Sequence, residues 1–135
     1  MYQQMIFVNL PVTDLDASKT FFTTLGYSIN AQFSNDEAAS VVISDTIVAM
    51  LLTKPFYATF TDKEIADASK TSEVLICLSA ESREKVDELV DRAVAAGGTD
   101  TGRTQDHGFM YGRAFDDLDG HTWEITWMDP TAVQD

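Results

Sequence analysis

QDHGFMYGRAFDDLDGHTWE, residues 105–124, reads as two β-strands around a turn, and the number of residues in that turn decides which side chains share a face. FMYGRAF (109–115) and HTWEITWM (121–128) alternate with the period of two that a strand requires. Between them, Asp117-Leu118-Asp119-Gly120 is made of turn-forming residues. Taken as a four-residue loop, it pairs Asp116 with His121, Phe115 with Thr122 and Arg113 with Glu124, because antiparallel partners count outward from the turn. On that count Tyr111, Arg113 and Phe115 share an inner face with Thr122, Glu124 and Thr126. Trp123, Ile125 and Trp127 point the other way, onto a helix.

Upstream of this hairpin, EVLICLS (73–79) predicts a strand leading into a helix over about 82–96. Val86, Leu89, Val90, Ala93 and Val94 form the apolar stripe of that helix, and Gly97-Gly98 ends it. A short strand near Thr99–Arg103 completes the second half. The first half has the same order. MIFVNLPV (5–12) is a strand, Thr13 caps a helix carrying Leu15, Ser18, Phe22 and Leu25 on one face, and Gly26 closes it. Three β-like stretches follow, Tyr27–Phe33, Ala38–Ser44 and Thr46–Leu52. The fold class is therefore α+β, with two βαβββ units whose curved mixed sheets form a cup. Unit one runs over about 3–53 and unit two over about 71–129, within a single domain of residues 1–135. The connection, about 54–70, has a helical pattern from Thr61 to Ala68, and a lid, a dimer element and a plain crossover all fit it.

A chain of 135 residues with 44% hydrophobic side chains has the size and apolar content of one domain around one core. No run of eighteen apolar residues occurs, and MYQQMIFVNLPV lacks a basic leader and a small-residue cleavage site. A cytoplasmic protein is expected. The net charge of −13 opposes binding to nucleic acid or to a membrane surface; it serves solubility, and a field that gathers cationic small molecules is the alternative. Cys77, the only cysteine, lies in the apolar run VLICL and reads as a small buried hydrophobe. There is no Gly-rich phosphate loop, no Cys-x-x-Cys pair and no nucleophile elbow. The Asp-Leu-Asp-Gly run lacks the further ligands of a calcium loop.

The stretches VTDLDASKTFFTTLGY (12–27) and AFDDLDGHTWEI (114–125) resemble the two signatures of the vicinal-oxygen-chelate superfamily, the glyoxalase/bleomycin-resistance/dioxygenase fold. With the repeated unit, the resemblance covers nearly the whole chain, and segment 105–124 is similar to bacterial lactoylglutathione lyase-like proteins. The resemblance implies either a lyase or isomerase of glyoxalase type, or a protein that binds an antibiotic or other small molecule without turnover. It also implies a homodimer, since exposed sheet edges seek partners. Metal ligands of the superfamily's enzymes would fall at Phe7, at Ala49 or Met50, at Leu75 and at Glu124. Only Glu124 can bind a metal, so no metal or other cofactor is expected, with His107 and His121 the available non-standard ligands.

The site expected from these readings has Glu124 and Arg113 as its chemical pair. Glu124 would be the base that moves a proton and Arg113, with Tyr111, the group that stabilises a developing oxyanion. Equally, the two could be a buried ion pair that closes the cup. Tyr111, His107, Phe7, Asn9, Met50, Leu75 and Thr126 are expected to contact a small-molecule ligand, with Met5 and Cys77 completing a mainly apolar wall.

Overall fold

The structure, a computed structural model, describes residues 1–132. It divides into two compact units, Met1–Ala66 and the chain from Asp67 onward. In unit one, β1 (Ile6–Val12), α1 (Leu15–Thr24), β2 (Ser28–Ile29), β3 (Ala38–Val42) and β4 (Ile47–Thr53) form a sheet of order β1-β4-β3-β2 with a helix on one face. β1 runs parallel to β4, and the other pairs are antiparallel. Leu10, Val12, Ala39, Val41, Ala49 and Leu51 are buried on the strands, and Leu15, Phe21 and Phe22 on α1. Phe7, Asn9 and Met50 lie on the opposite face by alternation, with Asn9 directly beside Met50.

Several local expectations are corrected here. The cap of α1 is Asp14, whose Oδ1 accepts from Ala17 N at 3.0 Å, and not Thr13. The strand expected over 27–33 is only Ser28–Ile29, because the Asn30 side chain accepts from Gln32 N at 3.1 Å and starts a 3₁₀ turn. No helix forms from Thr61 to Ala68. There, Thr61 Oγ1 accepts from Lys63 N and Asp67 Oδ1 from Ser69 N, bonds that make turns. The short helix of this segment is instead α2 (Lys54–Tyr57), with Pro55 in its first turn.

Unit two repeats the design. β5 (Ile76–Ser79), α3 (Arg83–Ala95), β6 (Thr99–Asp100), β8 (Met110–Asp116) and β9 (Thr122–Met128) build a sheet of order β5-β9-β8-β6, and β7 (Gln105–Asp106) also pairs with β8. β5 is parallel to β9, as β1 is to β4. Ser82 caps α3, which packs Val86, Val90 and Ala93 onto the sheet. Neither sheet closes on itself, so a cup is not a property of either unit alone. Among the described residues, no helix is long and apolar enough to cross a membrane.

The hairpin register differs from the expectation by one residue. Asp116 pairs with Thr122, Phe115 with Trp123, Ala114 with Glu124 and Arg113 with Ile125. The loop between Asp117 and His121 holds three residues and not four. Gly120 N donates to Asp117 O at 3.1 Å, Asp117 N donates to His121 O at 2.9 Å, and Gly120 has φ +88°. This is a tight turn followed by a glycine bulge, and the odd count turns the β8 side chains over relative to those of β9. Phe115, 1% exposed, joins Trp123 and Ile125 under α3. Burying such a ring is worth roughly 3 kcal/mol, against about 1 kcal/mol for a partly exposed ion pair, so the observed register prevails.

Gly120 also lies against the chain entering unit two. A Cβ there would stand 2.7 Å from Ser69 N and 2.8 Å from Ser69 Cα, backbone atoms that cannot step aside. Gly120→Ala is therefore expected to cost roughly 2–4 kcal/mol in denaturant unfolding, strain and clash combined. Gly102→Ala, at φ +75° with nothing within 4 Å, is the control and should cost about 1–2 kcal/mol, the left-handed penalty alone.

Candidate functional site

The two faces of the unit-two sheet carry different chemistry. On the face away from α3, a groove of about 990 Å³ is lined by Leu75, Cys77, Gly112, Ala114, Thr122, Glu124, Thr126 and Met128 on or beside the strands. Arg103, Gln105 and Met110 are also part of its lining. Glu124 stands beside Cys77, its register partner on β5. Cys77 Sγ lies 3.3 Å from Thr126 Oγ1. Gly112 faces the same hydroxyl, and a Cβ on it would come within 3.1 Å of Thr126 Oγ1, so its bare backbone keeps the floor of the groove open. Cys77 is exposed, contrary to the buried position read from VLICL. Ile76 and Leu78 take the helix side of β5, and alternation sends the residue between them outward.

Among the described residues the Glu124 carboxylate has no hydrogen-bond or ion-pair partner. The other acidic groups lining the groove are engaged. Asp116 Oδ1 accepts from Thr122 Oγ1 at 2.6 Å, and Asp100 Oδ2 receives Arg113 Nη2 at 2.8 Å.

Arg113 does not stand beside Glu124. The register points it to the α3 side, where Nη1 reaches Asp87 at 2.9 Å and Asp91 at 3.1 Å while Nη2 holds Asp100. Burial opposes its charge, but the bonds from Asp100, Asp87 and Asp91 outweigh this and raise the guanidinium pKa. Tyr111 is on the same face, its hydroxyl donating to Asp87 Oδ1 at 2.6 Å. That bond, with those from Arg113, holds the Asp87 carboxyl below its usual range, and the bond to Asp87, aided by burial, raises the Tyr111 phenol. Arg83 lies over the rings of Tyr111 and Trp127, 5.0 and 5.2 Å from their centroids, and grips Asp106. The grip lowers the Asp106 pKa to about 2. The expected Arg113–Glu124 neighbourhood is thereby corrected, and the two cations nearest Tyr111 are bound to aspartates.

The remaining expected ligand contacts fall in both units. Leu75 and Thr126 line the groove with Glu124. His107 is exposed on the loop before β8, its ring tilted against Phe109, and it is not part of the groove lining. Phe7, Asn9 and Met50 share the open face of the unit-one sheet. Arg103, Gln105, Met110 and Met128 were missed as groove residues. Met110 and Met128 are register partners at the hairpin's open end, which a correct loop count would have revealed. Arg103, expected at the end of a strand over 99–103, lies in the loop after β6, which stops at Asp100, where Asp100 Oδ1 accepts from Gly102 N at 2.8 Å.

The donor set does not fit a superfamily metal. Of the two candidates at the second ligand position, Ala49 is buried among the core residues, which leaves Met50 on the open face. Phe7, Met50 and Leu75 carry no hard donor atom, and Glu124 alone cannot complete a coordination sphere. Among the described residues, no three His, Cys, Asp or Glu side chains stand together as a metal site requires.

Residues 4–44 match the family described as bleomycin resistance protein-like N-terminal. No curated protein matches the sequence. Among solved structures, hypothetical protein SA1046 from S. aureus is 30% identical, with 94% of this chain and 95% of that chain covered and a TM-score of 0.77. A glyoxalase-related enzyme from Fulvimarina pelagi is 23% identical over 93% of this chain and 88% of that one, with a TM-score of 0.78. The fosfomycin resistance protein FosX from Mesorhizobium loti is 14% identical over 98% of both chains, with a TM-score of 0.69. The likeness to the last two is one of fold.

Since Arg113 is 15% exposed and answers three carboxylates, Arg113→Met leaves those charges crowded and unanswered. The variant is expected to lose roughly 1–3 kcal/mol in urea unfolding, the carboxylates' own exposure limiting the loss. In combination with Glu124→Gln, on the opposite face and sharing no partner with it, the effects should add within about 0.5 kcal/mol.

Proposed function

We propose, from the premise that the chain belongs to the glyoxalase/bleomycin-resistance/dioxygenase superfamily, that it binds a small organic molecule in the unit-two groove with Glu124 as the anchor. The observation that carries this reading is the unpartnered carboxylate of Glu124 in an open groove where the other acids are already paired. Leu75, Met110, Ala114 and Met128 offer apolar surface, while Thr126, Gln105 and Cys77 add a few polar points, the usual composition of small-molecule sites. A carboxylate in such a place accepts a charge-assisted hydrogen bond from an N–H or O–H of the ligand. The homodimer expected from the resemblance belongs to the same proposal. Exposed Ile6 and Phe7 on edge strand β1, and Val74 ahead of β5, are the apolar groups that a second copy would cover.

One observation favours a second reading, that of a lyase or isomerase in which Glu124 takes a proton from carbon. Such a step needs a cation or donor where the oxyanion forms. Tyr111 is held on the other face and the Arg113 guanidinium, at the groove's edge, is committed to Asp87, Asp91 and Asp100, but Arg103 lines the same groove as Glu124 and supplies a cation there.

Glu124→Gln distinguishes the readings. Screening amine-bearing fragments by protein NMR should find binders whose shifts map to β8 and β9. The substitution should weaken them about tenfold or more, with unfolding free energy unchanged within roughly 0.5 kcal/mol. Fragments that bind the variant as well as the parent would refute the anchor role. The hemithioacetal of methylglyoxal and glutathione, offered with and without added nickel or zinc, should give no product; turnover abolished by Glu124→Gln would favour the second reading.

A further inference from the structure

The charged groups of the unit-two groove reduce by pairing to one anion and one cation. Asp100 and Arg113 hold each other at 2.8 Å, and Asp116 accepts from Thr122 at 2.6 Å. Glu124 and Arg103 remain. Among the described residues neither side chain has an ion-pair or hydrogen-bond partner, and only the backbone N–H of Arg103 is engaged, by Thr101 Oγ1 at 3.3 Å. Of the four arginines, Arg83, Arg92 and Arg113 each hold a carboxylate, and among the described residues Arg103 does not. Leu75, Met110 and Met128 share the groove with these two charges.

Two opposite charges left over in one apolar-walled groove describe the ligand by complementarity. The geometry points to a zwitterionic small molecule as the occupant, with its ammonium or amine at Glu124, its carboxylate or phosphate at Arg103, and its apolar body against Leu75, Met110 and Met128. A purely cationic molecule would leave Arg103 unanswered, and a purely anionic one would leave Glu124 so. Either would give up one charge-assisted contact, and each would meet repulsion from the group of its own sign. Arg103, with its planar fork of donors, suits a carboxylate or phosphate better than a point charge would. This inference rests on the groove being the binding site and adds the class of molecule that it takes.

The test uses the full chain and ω-amino acids, in which chain length sets the separation of the charges. ω-Aminohexanoate and ω-aminooctanoate are compared with the amines and the fatty acids of the same length, and binding is read from amide shifts of β8, β9 and residues 101–106. The amino acid whose length matches should bind about three- to tenfold more tightly than either singly charged relative. Glu124→Gln should remove its advantage over the fatty acid, and Arg103→Met its advantage over the amine. If an amine or a fatty acid binds as tightly as the amino acid, the zwitterion inference is overturned while groove binding stands. Should none of the three kinds bind, the inference also fails, and the amine-fragment screen shows whether groove binding fails with it.

Discussion

The Asp117 carboxylate organises the turn on which the unit-two sheet depends. It is 7% exposed, and its Oδ1 accepts from the backbone N–H groups of Asp119 and His121 while Oδ2 accepts from the Trp123 indole, each at 3.0 Å. Burial pushes its pKa up, so at neutral pH the ionised form is a cost to folding that these donors reduce without cancelling. In return the loop closes with three residues, Gly120 takes its positive φ, and β8 is locked to β9 in a single register. A one-residue change in that register would exchange the two faces of β8.

Once the register is set, the division of labour follows. Phe115, Trp123 and Ile125 go under α3 together with Tyr111 and Arg113, and the polar tips of the last two meet the aspartates of that helix. This side of the sheet is satisfied within itself, which suits a structural role. The other side receives Glu124, Thr126 and the bare backbone of Gly112, and its carboxylate has no partner among the described residues. In unit two, Arg83 and Arg113 thus serve structure, while Arg103 lines the groove without an ion-pair partner among the described residues.

The repeat was legible because its signals are periodic. Alternation marked β8 and β9, apolar runs bounded by turn or cap residues marked β1 and β4, the apolar stripe marked α3, and Gly26 and Gly97, both at φ +109°, marked the helix ends. The site was only half legible. Glu124, Thr126 and Leu75 follow from β9 and from the run into β5, but the partner of Glu124 depended on a loop count. Asp-Leu-Asp-Gly accommodates three or four loop residues equally well on composition. The deciding clue lay outside the loop, in an aromatic ring at 115 that needs the same cover as Trp123 and Ile125. Cys77 was misread for a related reason, since a wholly apolar run conceals the alternation that exposes every second residue. Arg103 lies in an irregular loop, where only the folded chain brings it to the groove.

Backbone proton contacts across the hairpin test the account most directly, because everything said of the two faces depends on them. A nuclear Overhauser spectrum of the labelled protein should show cross-strand contacts between Ala114 and Glu124 and between Gly112 and Thr126, the observed partners. Contacts joining Arg113 to Glu124 and Phe115 to Thr122 would contradict it, returning Arg113 to the groove and making the pair the centre of the site.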